Sequence, residues 1–305
     1  MNINGLILSL KNILKHDNIK VNELMRNHTA FKVGGPCDIM VFPNNEKEFV
    51  DSIREIIKFN IPYFILGSGS NLIVKDGGIK GVVINTSRFK NISVNGNLIN
   101  AKCGDKLCDI SRIAYENSLT GFEFACGIPG TIGGGVNMNA GAYGGEMSLV
   151  IKGVKVIDKN GRLFYIPGEK MEFSYRSTVI MKNCYTMIEC DLELKKGNKN
   201  EIKNLIDDLT LKRESKQPLE FPSAGSVFKR PEGYYAGKLI EDSGLRGYIH
   251  KNVMISNKHC GFIVNIEPNR AKASDILELI EIVKNKVFSK FNVNLELEVR
   301  VIGED

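Results

Sequence analysis

Apolar positions along this chain follow two rhythms, one near 3.6 residues and one near 2. At the start, Leu6, Ile7, Leu10, Ile13 and Leu14 recur at helical spacing, which predicts an amphipathic helix packed on the body within residues 1–14. Asn45 with Glu48 three residues later resembles a capped helix start, and Phe49, Ile53, Ile56 and Ile57 carry the helical period on to about Asn60. Short apolar runs at 62–66, 72–74, 82–84, 92–94 and 98–101 read as strands, and 105–117 reads as a helix. Between 150 and 194 β-type runs dominate, broken by turns at Lys159-Asn160-Gly161 and Pro167-Gly168.

The polar stretch Lys195-Lys196-Gly197-Asn198-Lys199-Asn200 suits a domain boundary, so the expected division is 1–198 and 199–305. Beyond it, 201–214 reads as a helix, 261–266 as a strand, and Ile276, Ile280, Val283, Val287 and Phe291 as the buried stripe of a long helix. A last strand is expected over 293–301.

A chain of 305 residues exceeds what one core usually organises. At 43% apolar and 25% charged residues it is an ordinary globular composition, and 30 glycines imply tight turns and close backbone approaches. The net charge of +6 arises from 41 basic and 35 acidic residues with no basic block. An anionic small molecule therefore accounts for it without nucleic acid. Seven cysteines, odd in number and without a Cys-x-x-Cys pair, indicate neither a disulfide scaffold nor a zinc site, and reduced thiols in a cytoplasmic setting are expected. The first residues lack a basic n-region and a small-residue cleavage site. No apolar run approaches the roughly 20 residues that span a bilayer, so no membrane association is expected.

Two glycine-rich segments carry the chemistry. Gly67, Ser68, Gly69, Ser70, Asn71 and Leu72 offer backbone N–H groups and two hydroxyls, as a pyrophosphate requires. Leu72 and a β-like run stand where a dinucleotide fingerprint would place its third glycine and a helix, so this loop is not of the Rossmann type. A tight connecting turn would account for it alone. The second segment holds Gly127, Ile128, Pro129, Gly130, Thr131, Gly133 and Gly134, and continues to Gly141 and Ala142. Its glycine density implies backbone lying against a ligand, and a flat aromatic cofactor with a diphosphate tail, FAD in the first place, would use both segments.

Other polar groups are ambiguous by themselves. Arg176 in Phe-Ser-Tyr-Arg-Ser is compatible with a solvated surface charge, and the cations of Arg213-Glu214-Ser215-Lys216 suit the C-terminal end of a helix. Ser226 follows a glycine but lacks the nucleophile elbow of a serine hydrolase. Glu296 and Glu298 fall on one face of a strand, opposite Leu295, Leu297 and Val299.

The ordered set Gly-Ser-Gly-Ser-Asn-Leu, Ile-Pro-Gly-Thr-Ile-Gly-Gly, Asn-Ala-Gly-Ala-Tyr-Gly, Tyr-Arg-Ser, Gly-Ser-x-Phe-Lys and Leu-Glu-x-Glu-Val-Arg-x-Ile-Gly resembles the UDP-N-acetylenolpyruvoylglucosamine reductase family, over about residues 27–304. The resemblance implies a noncovalent FAD in a fold of the vanillyl-alcohol-oxidase type, followed by a C-terminal α+β substrate domain. It implies NADPH as reductant and reduction of the enolpyruvyl ether of UDP-N-acetylglucosamine to UDP-N-acetylmuramate for peptidoglycan. Hydride would pass from flavin N5 to C3. Ser226 corresponds to the proton donor to C2, Arg176 and Glu296 to the partners that polarise the substrate carboxylate, and Tyr175, Lys216 and Lys229 to substrate contacts. The chain resembles the shorter branch, which lacks a tyrosine-bearing loop, and Arg230 stands where other members have Asn. A monomer or weak oligomer is expected. Another FAD oxidase or dehydrogenase of this fold would lack the Tyr-Arg-Ser and Leu-Glu-x-Glu-Val-Arg segments, and a non-catalytic flavin-binding protein would not be bleached by NADPH.

Overall fold

The computed structural model describes residues 2–305. Contacts divide the chain into two compact units, each assembled from separated stretches: Met1–Val21, Ile39–Ser68 and Gly81–Arg213 in the first, and Asn22–Asp38, Gly69–Lys80 and Glu214–Asp305 in the second.

The first unit is built on a five-stranded antiparallel sheet in the order Leu163–Pro167, Ile151–Ile157, Thr186–Glu193, Leu98–Lys102, Ile92–Asn95. Val154 lies opposite Cys190 and Cys190 opposite Ala101, so a row of apolar side chains crosses the sheet. That row forms one core with Leu107 and Ile110 of the helix Leu107–Glu116 and Val136 of the short helix Ile132–Asn137. Tyr165 lies across Gly153, filling the space its missing side chain leaves, and donates to Asp191 at 3.0 Å. A second core joins Leu6 and Leu10 of the helix Ile3–Leu10 to Phe49, Ile53 and Ile56 of the helix Glu46–Lys58, and to Val82 and Ile84. The sequence signal at Asn45 is fulfilled: its side chain accepts from Glu48 N at 2.9 Å, while the Glu48 carboxylate accepts from Asn44 N at 2.8 Å.

In the second unit three antiparallel strands, Ile249–His250, Val253–Ile255 and Ile263–Asn265, share a core with the helix Ala273–Phe291 through Ile276, Leu279, Ile280, Val283 and Val287. The strand expected over 293–301 is corrected by the structure. Only Arg300–Ile302 is a strand, parallel to Leu72–Val74. The residues before it bond elsewhere: Lys229 N donates to Glu296 O at 2.8 Å and Glu298 N to Val227 O at 2.8 Å. A segment that changes partner midway cannot keep one continuous ladder, although Leu295 and Val299 are both buried as the alternation required.

The helix Ala273–Phe291 begins on a carboxylate from a distant part of the chain. Asp76 accepts from Ala273 N at 2.8 Å and from Ser274 N at 3.1 Å. Asp76→Ala is expected to lower stability by about 1–2 kcal/mol, as loss of a helix cap does, and Asp76→Asn by less, since one acceptor remains. Urea midpoints at unchanged m-value read the difference, and an alanine variant with the parent midpoint would show the cap to be dispensable.

All seven cysteines are free. Burial pushes the Cys103 and Cys190 thiols well above their ordinary range, so they behave as small apolar groups. No helix among the described residues is long and apolar enough to cross a membrane.

Candidate functional site

In the first unit the strand Tyr63–Leu66 pairs in parallel with Val82–Asn85 and ends at Gly67 and Ser68. Gly67 is pressed against the Thr131 hydroxyl, so a side chain there would collide with it. In the second unit Gly69 takes a φ of +61° and sits against the His28 carbonyl, while its own carbonyl accepts from Ala30 N at 3.0 Å. Asn71 follows: its amide donates to Glu298 O at 3.1 Å and its carbonyl accepts from Arg300 N at 3.1 Å. Leu72 is buried at the start of its strand.

The second glycine segment lies wholly in the first unit and contains the helix Ile132–Asn137, which the sequence reading did not foresee. Thr131 caps it, accepting from Gly134 N at 3.4 Å. Its next N–H groups are already engaged, Ile132 N by Asp105 O at 2.8 Å and Gly133 N by Cys103 O at 3.0 Å. Much of the glycine density proves to serve packing. A Cβ at Gly133 would lie 2.9 Å from Cys103 Cβ, at Gly135 3.2 Å from Met147, and at Gly141 2.6 Å from Gly145 O. Gly134 differs, since a Cβ there would meet only Thr131 Oγ1 at 3.7 Å. Packing therefore accounts for the missing side chains at Gly133, Gly135 and Gly141, and not at Gly134. Ile128, Pro129 and Gly130 form the turn before the helix, with Gly130 O accepting from Leu107 N at 3.0 Å.

Tyr175 and Arg176 occupy the tip of a tight turn in the same unit, closed by Ser174 N to Ser177 O at 3.0 Å and Ser177 N to Ser174 O at 3.2 Å. Arg176 holds φ +55°, a conformation that favours glycine, and its guanidinium carbon lies 5.1 Å from the centre of the exposed Tyr175 ring. Buried Asn139 donates to Ser174 O at 3.3 Å, and the buried Thr178 hydroxyl donates to Asn137 O at 3.0 Å. The turn is thereby anchored at its base, with Arg176 held in the left-handed region at its tip.

Ser226, Lys229 and Glu296 belong to the second unit, where backbone pairing brings Lys229 to Glu296 and Ser226 to Phe262. Phe228 bridges Leu297, Val227 N donates to Gly261 O at 2.9 Å, and the Lys229 ammonium donates to the Glu296 carboxylate at 3.0 Å. With side chains 42% and 74% exposed, that ion pair contributes little to stability, about 0–1 kcal/mol. Gly225, at φ +75°, turns the chain into Ser226. Lys216 ends the helix Lys199–Lys216, and Arg230 stacks on Tyr235, 4.0 Å from its ring centre. Glu298 uses its backbone in the strand exchange described above. Arg176 lies in the first unit, apart in the partition from Ser226 and Glu296.

His259 was missed from the sequence. A Cβ at Gly261 would lie 2.9 Å from its ring and 3.7 Å from Ser226 Oγ, so only a glycine separates the two. Nδ1 accepts from Gly261 N at 3.0 Å, which places the proton of the neutral ring on Nε2, and burial lowers its pKa. A single histidine without a motif gave no signal; only the Val227–Gly261 pairing brings it to Ser226.

Comparison with known proteins agrees with this organisation. The sequence model described as UDP-N-acetylenolpyruvoylglucosamine reductase, C-terminal domain, matches residues 217–302, and that described as FAD binding domain matches residues 37–166. UDP-N-acetylenolpyruvoylglucosamine reductase of Clostridium kluyveri (strain NBRC 12016) is 52% identical over 98% of this chain and 97% of its own length, and that of Clostridioides difficile (strain 630) is 48% identical over 100% of both. The crystal structure of the enzyme (MurB) from Thermus caldophilus is similar at a TM-score of 0.80 and 32% identity, covering 93% of this chain and 99% of that one. Wild-type Phl p 4.0202, a glucose dehydrogenase, shares the fold over 64% of this chain and 44% of its own at a TM-score of 0.51 and 12% identity. The architecture is thus α+β, with the flavin-binding fold of the vanillyl-alcohol-oxidase type. With relatives about half identical from end to end, the chain belongs to the UDP-N-acetylenolpyruvoylglucosamine reductase family.

Proposed function

We propose that this protein is an FAD-dependent oxidoreductase that uses NADPH to reduce the enolpyruvyl ether of UDP-N-acetylglucosamine to UDP-N-acetylmuramate, a step of peptidoglycan synthesis in the cytoplasm. The observation that carries the reading is the end-to-end identity with relatives bearing that name. FAD, when bound, supplies the hydride chemistry. The residues fit such a group: Gly134 leaves an open side in the Thr131-capped turn, and Arg213 lies against Gly127 with no carboxylate partner among the described residues. In this reading residues 1–198 form the FAD domain, with Gly67 to Leu72, Gly127 to Gly134, Gly141 and Ala142 as its contacts, and residues 199–305 the substrate domain.

The chain's own groups then manage charge and protons. The Arg176 fork grips the substrate carboxylate by two parallel hydrogen bonds, which stabilises negative charge delocalised from C2. Ser226 delivers the proton to C2, and Glu296 holds the enol form. Tyr175, Lys216 and Lys229 contact the substrate, with lysine acting as a point charge on carboxylate or diphosphate oxygens.

The purified protein is expected to be yellow, and acid precipitation should release FAD into the supernatant. Colour retained in the precipitate, FMN in place of FAD, or a flavin that anaerobic NADPH plus the enolpyruvyl substrate does not cycle would overturn the reading.

A further inference from the structure

His259 stands in the second unit, in a loop that leads into the strand Ile263–Asn265. Ser256 closes that loop on itself. Its hydroxyl accepts from Lys258 N at 3.1 Å and from His259 N at 3.2 Å, and its own N–H donates to Phe262 O at 2.9 Å.

Within the loop His259 serves two successive amides. Its ring Nδ1 accepts from Gly261 N at 3.0 Å, and its carbonyl accepts from Phe262 N at 2.9 Å. The imidazole also meets the Phe262 ring edge-on, with centres 5.0 Å apart. The same two residues carry the Ser226 segment, since Val227 N donates to Gly261 O at 2.9 Å and Ser226 bridges Phe262. What His259 holds is therefore what Ser226 hangs on. Two glycines make room for the ring: a Cβ would lie 2.9 Å from its Cε1 at Gly261 and 3.3 Å at Gly237. The first of these is also 3.7 Å from Ser226 Oγ, so imidazole and hydroxyl flank one gap. The bond from Gly261 N requires a bare Nδ1, and burial, which lowers the pKa of the imidazole, keeps it bare. An asparagine could supply the same hydrogen bond but not the contact with Phe262, whereas the imidazole supplies both.

We infer that His259 is a positioning residue, which through Gly261 and Phe262 fixes Ser226 at the point from which its proton is delivered. The inference rests on the reading of Ser226 as the proton donor to C2. A proton donor works over a narrow range of distance and angle, and a displacement of about 1 Å costs about 10²-fold. Slackening of the turn by that much spares substrate binding and lowers the rate.

The test uses the full-length, flavin-loaded protein as parent, His259→Ala and His259→Asn, with His259→Ala also made in a Ser226→Ala background. Stopped-flow absorbance of the flavin band gives the rate of bleaching by NADPH and the limiting rate of reoxidation by the enolpyruvyl ether of UDP-N-acetylglucosamine. The concentration dependence of reoxidation gives the apparent dissociation constant of that substrate. His259→Ala is expected to lower the limiting reoxidation rate by about 10- to 100-fold, with bleaching at the parent rate and the dissociation constant within about 3-fold of the parent value. His259→Asn, whose side-chain oxygen can accept from the amide two residues on, should recover a large part of the loss. In the Ser226→Ala background His259→Ala should cost less than about 2-fold, because the group it positions is already gone. Parent reoxidation in the alanine variant, an asparagine variant no better than alanine, or an undiminished loss in the Ser226→Ala background overturns the inference. So does a dissociation constant that rises while the limiting rate holds, which would make the ring a substrate contact. Slowing of both half-reactions or loss of flavin in His259→Ala also overturns it, by making the ring a general support of the fold. A parent whose flavin is not cycled by NADPH and the enolpyruvyl substrate overturns the functional reading and this inference together, whereas a cycling parent beside an indifferent His259→Ala overturns the inference alone.

Discussion

Replacing Ser226 by alanine is expected to separate the two halves of the catalytic cycle. Bleaching of the flavin by NADPH asks nothing of the hydroxyl and should proceed near the parent rate. Reoxidation by the enolpyruvyl substrate should slow by roughly 10²–10⁴, or about 3–5 kcal/mol of barrier, the usual worth of a positioned proton donor. A serine hydroxyl is a weak acid, so it can serve only against a more basic carbanion and with a cation near the alkoxide it leaves. Lys229, three residues on from Ser226 and paired with Glu296 at 3.0 Å, is the cation we propose for that role. His259 is not, because burial lowers its pKa and keeps the ring neutral at pH 7. Ser226→Cys retains a transferable proton and should recover part of the loss. Stopped-flow absorbance of the flavin band reads both steps, and an alanine variant that reoxidises at the parent rate would remove Ser226 from the mechanism.

Arg176 should show opposite signs in stability and activity. Arg176→Lys keeps the charge but cannot form two parallel hydrogen bonds to a carboxylate, so substrate reduction should fall by roughly 10²-fold at normal flavin content. Arg176→Gly removes the interaction altogether and should reduce turnover further. Yet its backbone, at φ +55°, is one that a side chain disfavours by about 1–2 kcal/mol. Glycine relieves that strain while losing more freedom on folding, for a net gain of up to about 1 kcal/mol and a melting temperature higher by roughly 2 °C. A glycine variant that is both active and less stable than the parent would return Arg176 to the status of a surface charge.

Local patterns in this sequence were legible wherever one physical rule acted alone. The stripe Ile276, Ile280, Val283, Val287 marked the helix Ala273–Phe291, and Asn45 with Glu48 marked the start of Glu46–Lys58, because each signal is complete within a few residues. The helix Ile132–Asn137 was hidden by three consecutive glycines, whose poor propensity is overridden by the Thr131 cap and by Asp105 and Cys103 carbonyls that engage its first N–H groups. Residues 293–299 alternate like a strand but divide their bonds between partners, which no local pattern reports. Among the candidate site residues, the adjacency of Lys229 and Glu296 is made by the Phe228–Leu297 bridge across a long stretch of sequence. Arg213 looked like an ordinary helix-end cation because desolvation is a property of what surrounds it, not of its neighbours in sequence.

The pairing of Arg300–Ile302 with Leu72–Val74 also sets a clock for synthesis. Once Leu72 has left the ribosome, about 230 further residues must be made before its partner exists, roughly 10–45 s at 5–20 residues per second. Through that interval Leu72, Ile73 and Val74, all buried in the finished protein, have no strand at Arg300–Ile302 to pair with, and Asp76 has no helix to cap. The first unit has all its residues by Arg213 and is free to fold before the nascent chain is finished, whereas the second can close only at the end. A chain stalled or nicked within the last helix would therefore leave an apolar segment near residue 73 uncovered, a ready target for a chaperone or a protease.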